Sequence, residues 1–169
     1  MPKISTPNDL LVEELKDLYS AETQLLKALP KMAKASESEE LKEAFTNHLK
    51  QTEGQVKRLE KVMKKLGETP KGKKCKAMEG LIEEAKEVLE EDYEPALRDL
   101  ALIVAAQKVE HYEIAGYGSA RTLAELIEED EVAQLLQETL DEEGEADKLL
   151  TQIAESINVE TMAETSDEA

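Results

Sequence analysis

The residues Glu110 and Glu113 lie within QKVEHYEIAGY, Gln107 to Tyr117, and coiling this stretch as a helix puts them on a single stripe with Ile103, Ala106 and Tyr117. Two carboxylates then sit where a core helix carries Leu or Val. An ionised carboxylate buried without a partner costs so much that it takes up a proton, shares one, or holds a cation. Acids in this pattern point to metal binding or proton sharing, so the elements that position them decide what they do.

Three other segments show the same interruption. A start signal at Ser5 to Asp9 opens a helix with the stripe Leu11, Leu15, Leu18, Glu22, Leu25 and Leu29, in which Pro30 removes a hydrogen bond or kinks the helix. A second helix, from Glu39 to the Gly67 stop, reads Leu41, Phe45, Leu49, Val56, Leu59 and Met63 on its inner face, with Glu53 among them and His48 on the shoulder. A third, from Pro95 to about Leu126, carries Glu110 and Glu113. In a fourth, Glu143 stands between Leu140 and Ala146, with Asp147 at the edge of the face. His111 points about a hundred degrees away from Glu110, which suits an orienting role better than joint ligation.

The chain from Gly67 to Pro95 is long enough to cross a bundle lengthwise, and AMEGLIEEAKEVLEED within it is amphipathic. The segment TEGQVKRL aligns without gaps to EEGEADKL and pairs Glu53 with Glu143, while Ala21-Glu22 falls beside Val109-Glu110. Two related helical hairpins are implied, and stacking them brings Glu22, Glu53, Glu110, Glu113 and Glu143 together. Hard oxygen ligands in a helical interior suit iron or manganese, and two metals bridged by carboxylates neutralise several charges at once. His48, His111 and Asp147 are the supplementary candidates.

Composition agrees with an all-α protein of one domain. The chain has 169 residues, 40% of them apolar and 3% aromatic, with 5 Pro and 7 Gly. With 39 acidic against 21 basic residues the net charge is −18, which repels nucleic acid phosphates and anionic lipid and argues against both as partners. The single cysteine, Cys75, permits neither an internal disulfide nor a thiolate cluster. In KGKKCK it reads as an incidental exposed thiol, the alternative being a thiol activated by neighbouring lysines. No stretch has signal-peptide or transmembrane character, which implies a cytoplasmic protein. Residues 1–158 are expected to form the bundle, and 159–169 an acidic, disordered tail.

The stretches LYSAETQLLKALPKM, HLKQTEGQVKRLE, QKVEHYEIAGYG and LLQETLDEEGEADKL resemble the ferritin-like superfamily and, more closely, the bacterial YciE/YciF family of stress proteins, which is related to the rubrerythrins. The resemblance spans Ser5 to Asn158. It implies a ferritin-like four-helix bundle with an extra short helix in the crossover, a homodimer, a role in stress response and a two-metal carboxylate centre. The superfamily's Glu-x-x-His pairs are not repeated: Val56 and Ala146 stand where the histidines are expected.

Two functions compete. One is a di-iron or iron/manganese protein that oxidises ferrous iron with oxygen or peroxide, as a ferroxidase or peroxide-consuming enzyme. The other is a metal-free bundle that works by association, its inward acids protonated or hydrogen-bonded to Tyr19, Tyr112, Tyr117, Gln51, Gln55 and Gln107.

Overall fold

The computed structural model describes the backbone of residues 4–167 and the side chains of residues 4–157. It contains α1 (Pro7–Ala35), α2 (Glu39–Lys65), α3 (Lys76–Glu90), α4 (Pro95–Leu126) and α5 (Asp130–Asp167). The boundaries follow local chemistry. The Thr6 hydroxyl accepts from the Asp9 N–H at 3.1 Å while the Asp9 carboxylate accepts from the Thr6 N–H at 3.0 Å, so the first turn of α1 is capped reciprocally. Pro30 sits on the exposed side of α1, where a missing backbone donor costs least, and the helix continues to Ala35. Ser38 caps α2, and Gly67 ends its last turn at a φ of +72°, which glycine adopts without strain.

The long helices form a four-membered ring, in which α1 packs on α2 and α4, and α5 packs on α2 and α4. Cross-contacts set the directions. Asp99 meets Ser38 while Tyr117 meets Glu22, so α1 and α4 are antiparallel; Lys65 meets Glu131 while Gln55 meets Glu143, so α2 and α5 are antiparallel too. It follows that α2 and α4 run the same way on opposite corners, and the chain between them must return the length of the bundle. Residues 66–94 do this, with α3 lying against α4 and α1. The crossover expected from the sequence is thus present, with its extra helix.

Two apolar cores fill the bundle. One gathers Leu25, Leu29, Phe45, Leu102, Ile103 and Ile153 at the end near the α1–α2 turn. The other gathers Leu11, Leu15, Leu59, Met63, Ala124 and Leu136 at the opposite end. Burying each such large side chain contributes roughly 1.5–3 kcal/mol. Glu22, His48, Thr52, Gln55, Glu110, Glu113 and Glu143 are buried between these cores, forming a polar layer across the middle of the bundle.

Two expectations need correction. The inner face of α2 is Leu41, Phe45, His48, Thr52, Gln55, Leu59, Val62 and the expected Met63, with Leu49 and Val56 only half-buried on its flank. Cys75 is neither exposed nor activated: it is 1% exposed, its sulfur accepts from the Met78 N–H to cap α3, and it lies 3.0 Å from the Tyr112 hydroxyl. Burial, joined by the nearby Asp17 carboxylate, pushes the Cys75 thiol above its ordinary range. The backbone of α5 is helical to Asp167. Side chains from 158 onward, and residues 168–169 altogether, lie outside the described residues, as does the expectation of disorder there.

Candidate metal centre

Each long helix contributes to the polar layer. From α1, Glu22 enters one turn beyond Leu18; from α4, Glu110 and Glu113 enter at a three-residue spacing; from α5, Glu143 enters between Leu136 and Leu150. The contribution of α2 is His48, with Thr52 and Gln55 on the following turns of the same face. One donor atom from each of His48, Glu110, Glu113 and Glu143 lies within 4.8 Å of the other three. Glu22, Glu113 and Glu143 have no exposed surface at all.

Hydrogen bonds hold these side chains at the edges and leave the middle open. Tyr117 donates to Glu22 Oε1 at 2.5 Å. Gln55 donates to Glu143 Oε1 at 2.5 Å and to Glu142 Oε2 at 3.0 Å. Arg58 then grips Glu142 with two nitrogens, each at 3.0 Å, and reaches the Thr139 hydroxyl at 2.6 Å. His48 Nδ1 lies 3.3 Å from Gln51 Oε1, while its Nε2 faces Glu110 Oε1 at 3.3 Å and Glu143 Oε2 at 3.6 Å. With Nδ1–H donating to Gln51, Nε2 is left to serve the cluster.

What remains is a set of lone pairs with no donor. Glu22 Oε2, Glu110 Oε2, both oxygens of Glu113, Glu143 Oε2, Gln55 Oε1 and His48 Nε2 are buried without a hydrogen-bond partner among the described residues. Burial is the main cause that drives all four acids toward protonation: Glu110 is pushed up to about 7, and Glu22, Glu113 and Glu143 rise well above the carboxylate range. Proximity adds to this. Glu113 neighbours Glu22 and Glu143 neighbours Glu110, and a proton on the first acid of each pair supplies a donor to the second. Without a cation the layer holds shared protons; with one, carboxylates and an imidazole converge on it. Inward-facing acceptors lacking donors, mostly hard oxygens with one imidazole, fit a metal cation.

The other sequence candidates lie elsewhere. Glu53 is exposed, because the inner face of α2 passes through Thr52 and Gln55 and turns Glu53 to water. The alignment of the two halves matched the shared Glu-Gly step, not the helical phase, and so paired Glu53 with Glu143. His111 is 69% exposed at its side chain and lies 3.3 Å from Asp147 Oδ1, which also accepts from Gln107 at 3.2 Å; this is a surface pair on the α4–α5 hairpin, apart from the donor cluster. Val56, on the flank of α2, is not a vacated ligand position. Of the partners that the metal-free reading gives the inward acids, the structure places Tyr117 on Glu22 and Gln55 on Glu143; the spacing Phe45, His48, Thr52, Gln55, Leu59, in steps of three and four, marks Gln55 as inward.

An antiparallel four-helix bundle with a lengthwise crossover and inward carboxylates at mid-height is a ferritin-like fold. Residues 6–163 match the family described as Domain of unknown function (DUF892), and the chain belongs to that family. It is 49% identical over 152 residues to Protein YciF of Escherichia coli (strain K12), covering 89% of this chain and 92% of that protein. The crystal structure of the E. coli stress protein YciF matches with a TM-score of 0.89 at 48% identity, over 91% of this chain and 98% of the other. YcfI from Rhodopseudomonas palustris matches at 0.85 and 42% identity, over 88% and 95%. A two-domain protein of Anabaena variabilis with DJ-1/ThiJ/PfpI-like and ferritin-like domains shares the fold, at 0.59 and 17% identity over 90% of this chain and 37% of that one. Among the described residues, no helix is long and apolar enough to cross a membrane.

Proposed function

We propose that the chain is a cytoplasmic, homodimeric stress protein whose mid-bundle layer binds a dinuclear iron or manganese centre, with ferroxidase or peroxide-consuming activity. The observation that carries this reading is the convergence of Glu110, Glu113, Glu143 and His48, buried, with inward lone pairs that lack donors. These four residues and Glu22 would hold the metal, and iron, when bound, supplies electron exchange with oxygen or peroxide. Tyr117 and Gln55 fix the outer oxygens of Glu22 and Glu143, so the carboxylates stay aimed inward without the metal's help. The two apolar cores above and below keep bulk water from the layer, which strengthens every charge interaction inside it.

A second reading has its own support. Shared protons, together with the Tyr117 and Gln55 hydrogen bonds, give a bundle that is stable without metal and functions by association. One experiment separates them. Protein purified aerobically without chelator is assayed for iron and manganese per chain, alongside Glu110→Ala. Near-stoichiometric metal that the variant loses supports the metalloprotein; an equally stable, metal-free wild type supports the association reading.

A further inference from the structure

A cavity of about 280 Å³ opens between α2 and α5, and its lining includes two members of the donor cluster, His48 and Glu110. The rest of the lining grades from exposed to buried. Asn47, Glu145 and Leu149 are exposed and mark the mouth; Phe45 and Leu150 are buried and mark the inner end, where His48 and Glu110 lie. Within the cluster, the residual exposure belongs to these same two residues, 6% for His48 and 2% for Glu110, against none for Glu22, Glu113 and Glu143. A solute coming down this cavity therefore meets His48 and Glu110 first. Both present an unpartnered buried atom, Nε2 and Oε2.

We propose that this cavity is the passage by which a divalent cation travels from solvent to the buried carboxylates, and that the small side chains of Ala146 on α5 and Ala44 on α2 keep it open. The inference rests on the metal-binding reading above and adds the route. A water needs only about 10–15 Å³ of such space, so the cavity admits a cation with part of its hydration shell. Oxygen donors stand along the way: Glu145 and Asn47 at the mouth, then Gln51, whose oxygen lies 3.3 Å from His48 Nδ1. The net charge of −18 raises the cation concentration at any such opening. Between donors the wall is hydrocarbon, from Phe45, Leu149 and Leu150, so the ion is passed inward instead of being held at the surface.

The chain's two histidines make the test self-controlled. Metal-free, full-length wild type and Ala146→Trp are treated with diethyl pyrocarbonate, which acylates accessible imidazole nitrogens, and His48 and His111 are followed separately by peptide mass spectrometry. Cobalt(II) uptake is followed in parallel by stopped-flow absorbance. The expected result is that Ala146→Trp slows both His48 acylation and cobalt uptake at least tenfold, with the final cobalt stoichiometry unchanged and exposed His111 reacting at the same rate in both proteins. Ala44→Leu, which narrows the cavity from the other helix, gives the same direction of change if Ala146→Trp disturbs folding. An unreactive His48 in the wild type, or cobalt uptake at wild-type speed in both narrowed variants, overturns the passage while leaving the metal centre intact. No cobalt uptake by the wild type overturns the metal centre, and the passage's cargo with it.

Discussion

Tyr117 and Glu22 are joined by a 2.5 Å hydrogen bond across the α1–α4 contact, with both side chains fully withdrawn from solvent. The bond stands on the boundary between the apolar core at one end of the bundle and the polar layer. Among the described residues it is the phenol's one hydrogen bond, and it fixes one of the two Glu22 oxygens.

Tyr117→Phe removes that donor and leaves Glu22 Oε1 buried without a partner. An unsatisfied buried acceptor costs about 1–3 kcal/mol, and a urea titration of the metal-free protein should show a loss in this range. Metal stoichiometry should persist, because the phenol is not among the donors. A loss below about 0.5 kcal/mol would mean the bond contributes little.

The pH dependence of the metal-free protein follows from Glu110. Its folded pKa of about 7 lies above the ordinary value of 4.5, so between these values the folded state binds more protons than the unfolded one. Stability is then fullest below pH 4.5 as far as this group is concerned, and is lost as pH rises toward 7. Burial of Glu22, Glu113 and Glu143 acts in the same direction. Calorimetry of chelator-treated protein should give a Tm roughly 5–10 °C higher at pH 5 than at pH 8. In Glu110→Gln the difference should shrink. Metal binding should show the opposite trend, tightening as pH rises because the ligands must shed protons.

Asp99 on α4 accepts from the Glu37 N–H at 2.9 Å and the Ser38 N–H at 2.7 Å, just before the first turn of α2, and is 2% exposed. A carboxylate there satisfies two backbone donors that have no other partner among the described residues, and it sits at the positive end of the α2 dipole. Asp99→Ala should cost about 2–3 kcal/mol in chemical denaturation, with Asp99→Asn recovering part of it. Equal losses for the two variants would place the effect in packing, not in the accepted hydrogen bonds.

Gly116 tests how closely α1 and α4 approach. A β-carbon there would come within 2.7 Å of Leu18 Cδ2, the movable end of a buried side chain. Gly116→Ala should be nearly neutral, within about 1 kcal/mol, since the helix propensity gained offsets the shift forced on Leu18. Gly116→Leu has no such accommodation and should cost about 3 kcal/mol, while loosening the neighbouring Tyr117–Glu22 bond. Thermal melts of both variants check this.

The helices were legible in the sequence because each is bounded by strong punctuation, Thr6-Pro7, Ser38, Gly67 and Pro95, and carries an apolar stripe. The length of the 66–94 connection likewise announced the crossover. Glu22, Glu110, Glu113 and Glu143 could be read as inward because hydrophobic residues precede and follow them at helical spacing. On α2 that logic pointed to the wrong face. Its inward positions at mid-height are His48, Thr52 and Gln55, so polarity hid them, while Leu49 and Val56 on the flank drew the assignment toward Glu53. Cys75 was misread for a related reason. Its lysine neighbours describe the loop around it, but the sulfur itself closes the first turn of α3 against Tyr112, a contact that depends on how the crossover is laid down.

The placement of Cys75 makes the thiol a clock for the crossover. Sealed under α3 and raised in pKa, it should ignore disulfide reagents until that segment lifts away from α1 and α4, so its labelling rate counts openings of the strap and not collisions with reagent. Oxidative cross-linking of two copies through this sulfur would accordingly wait on the same local detachment.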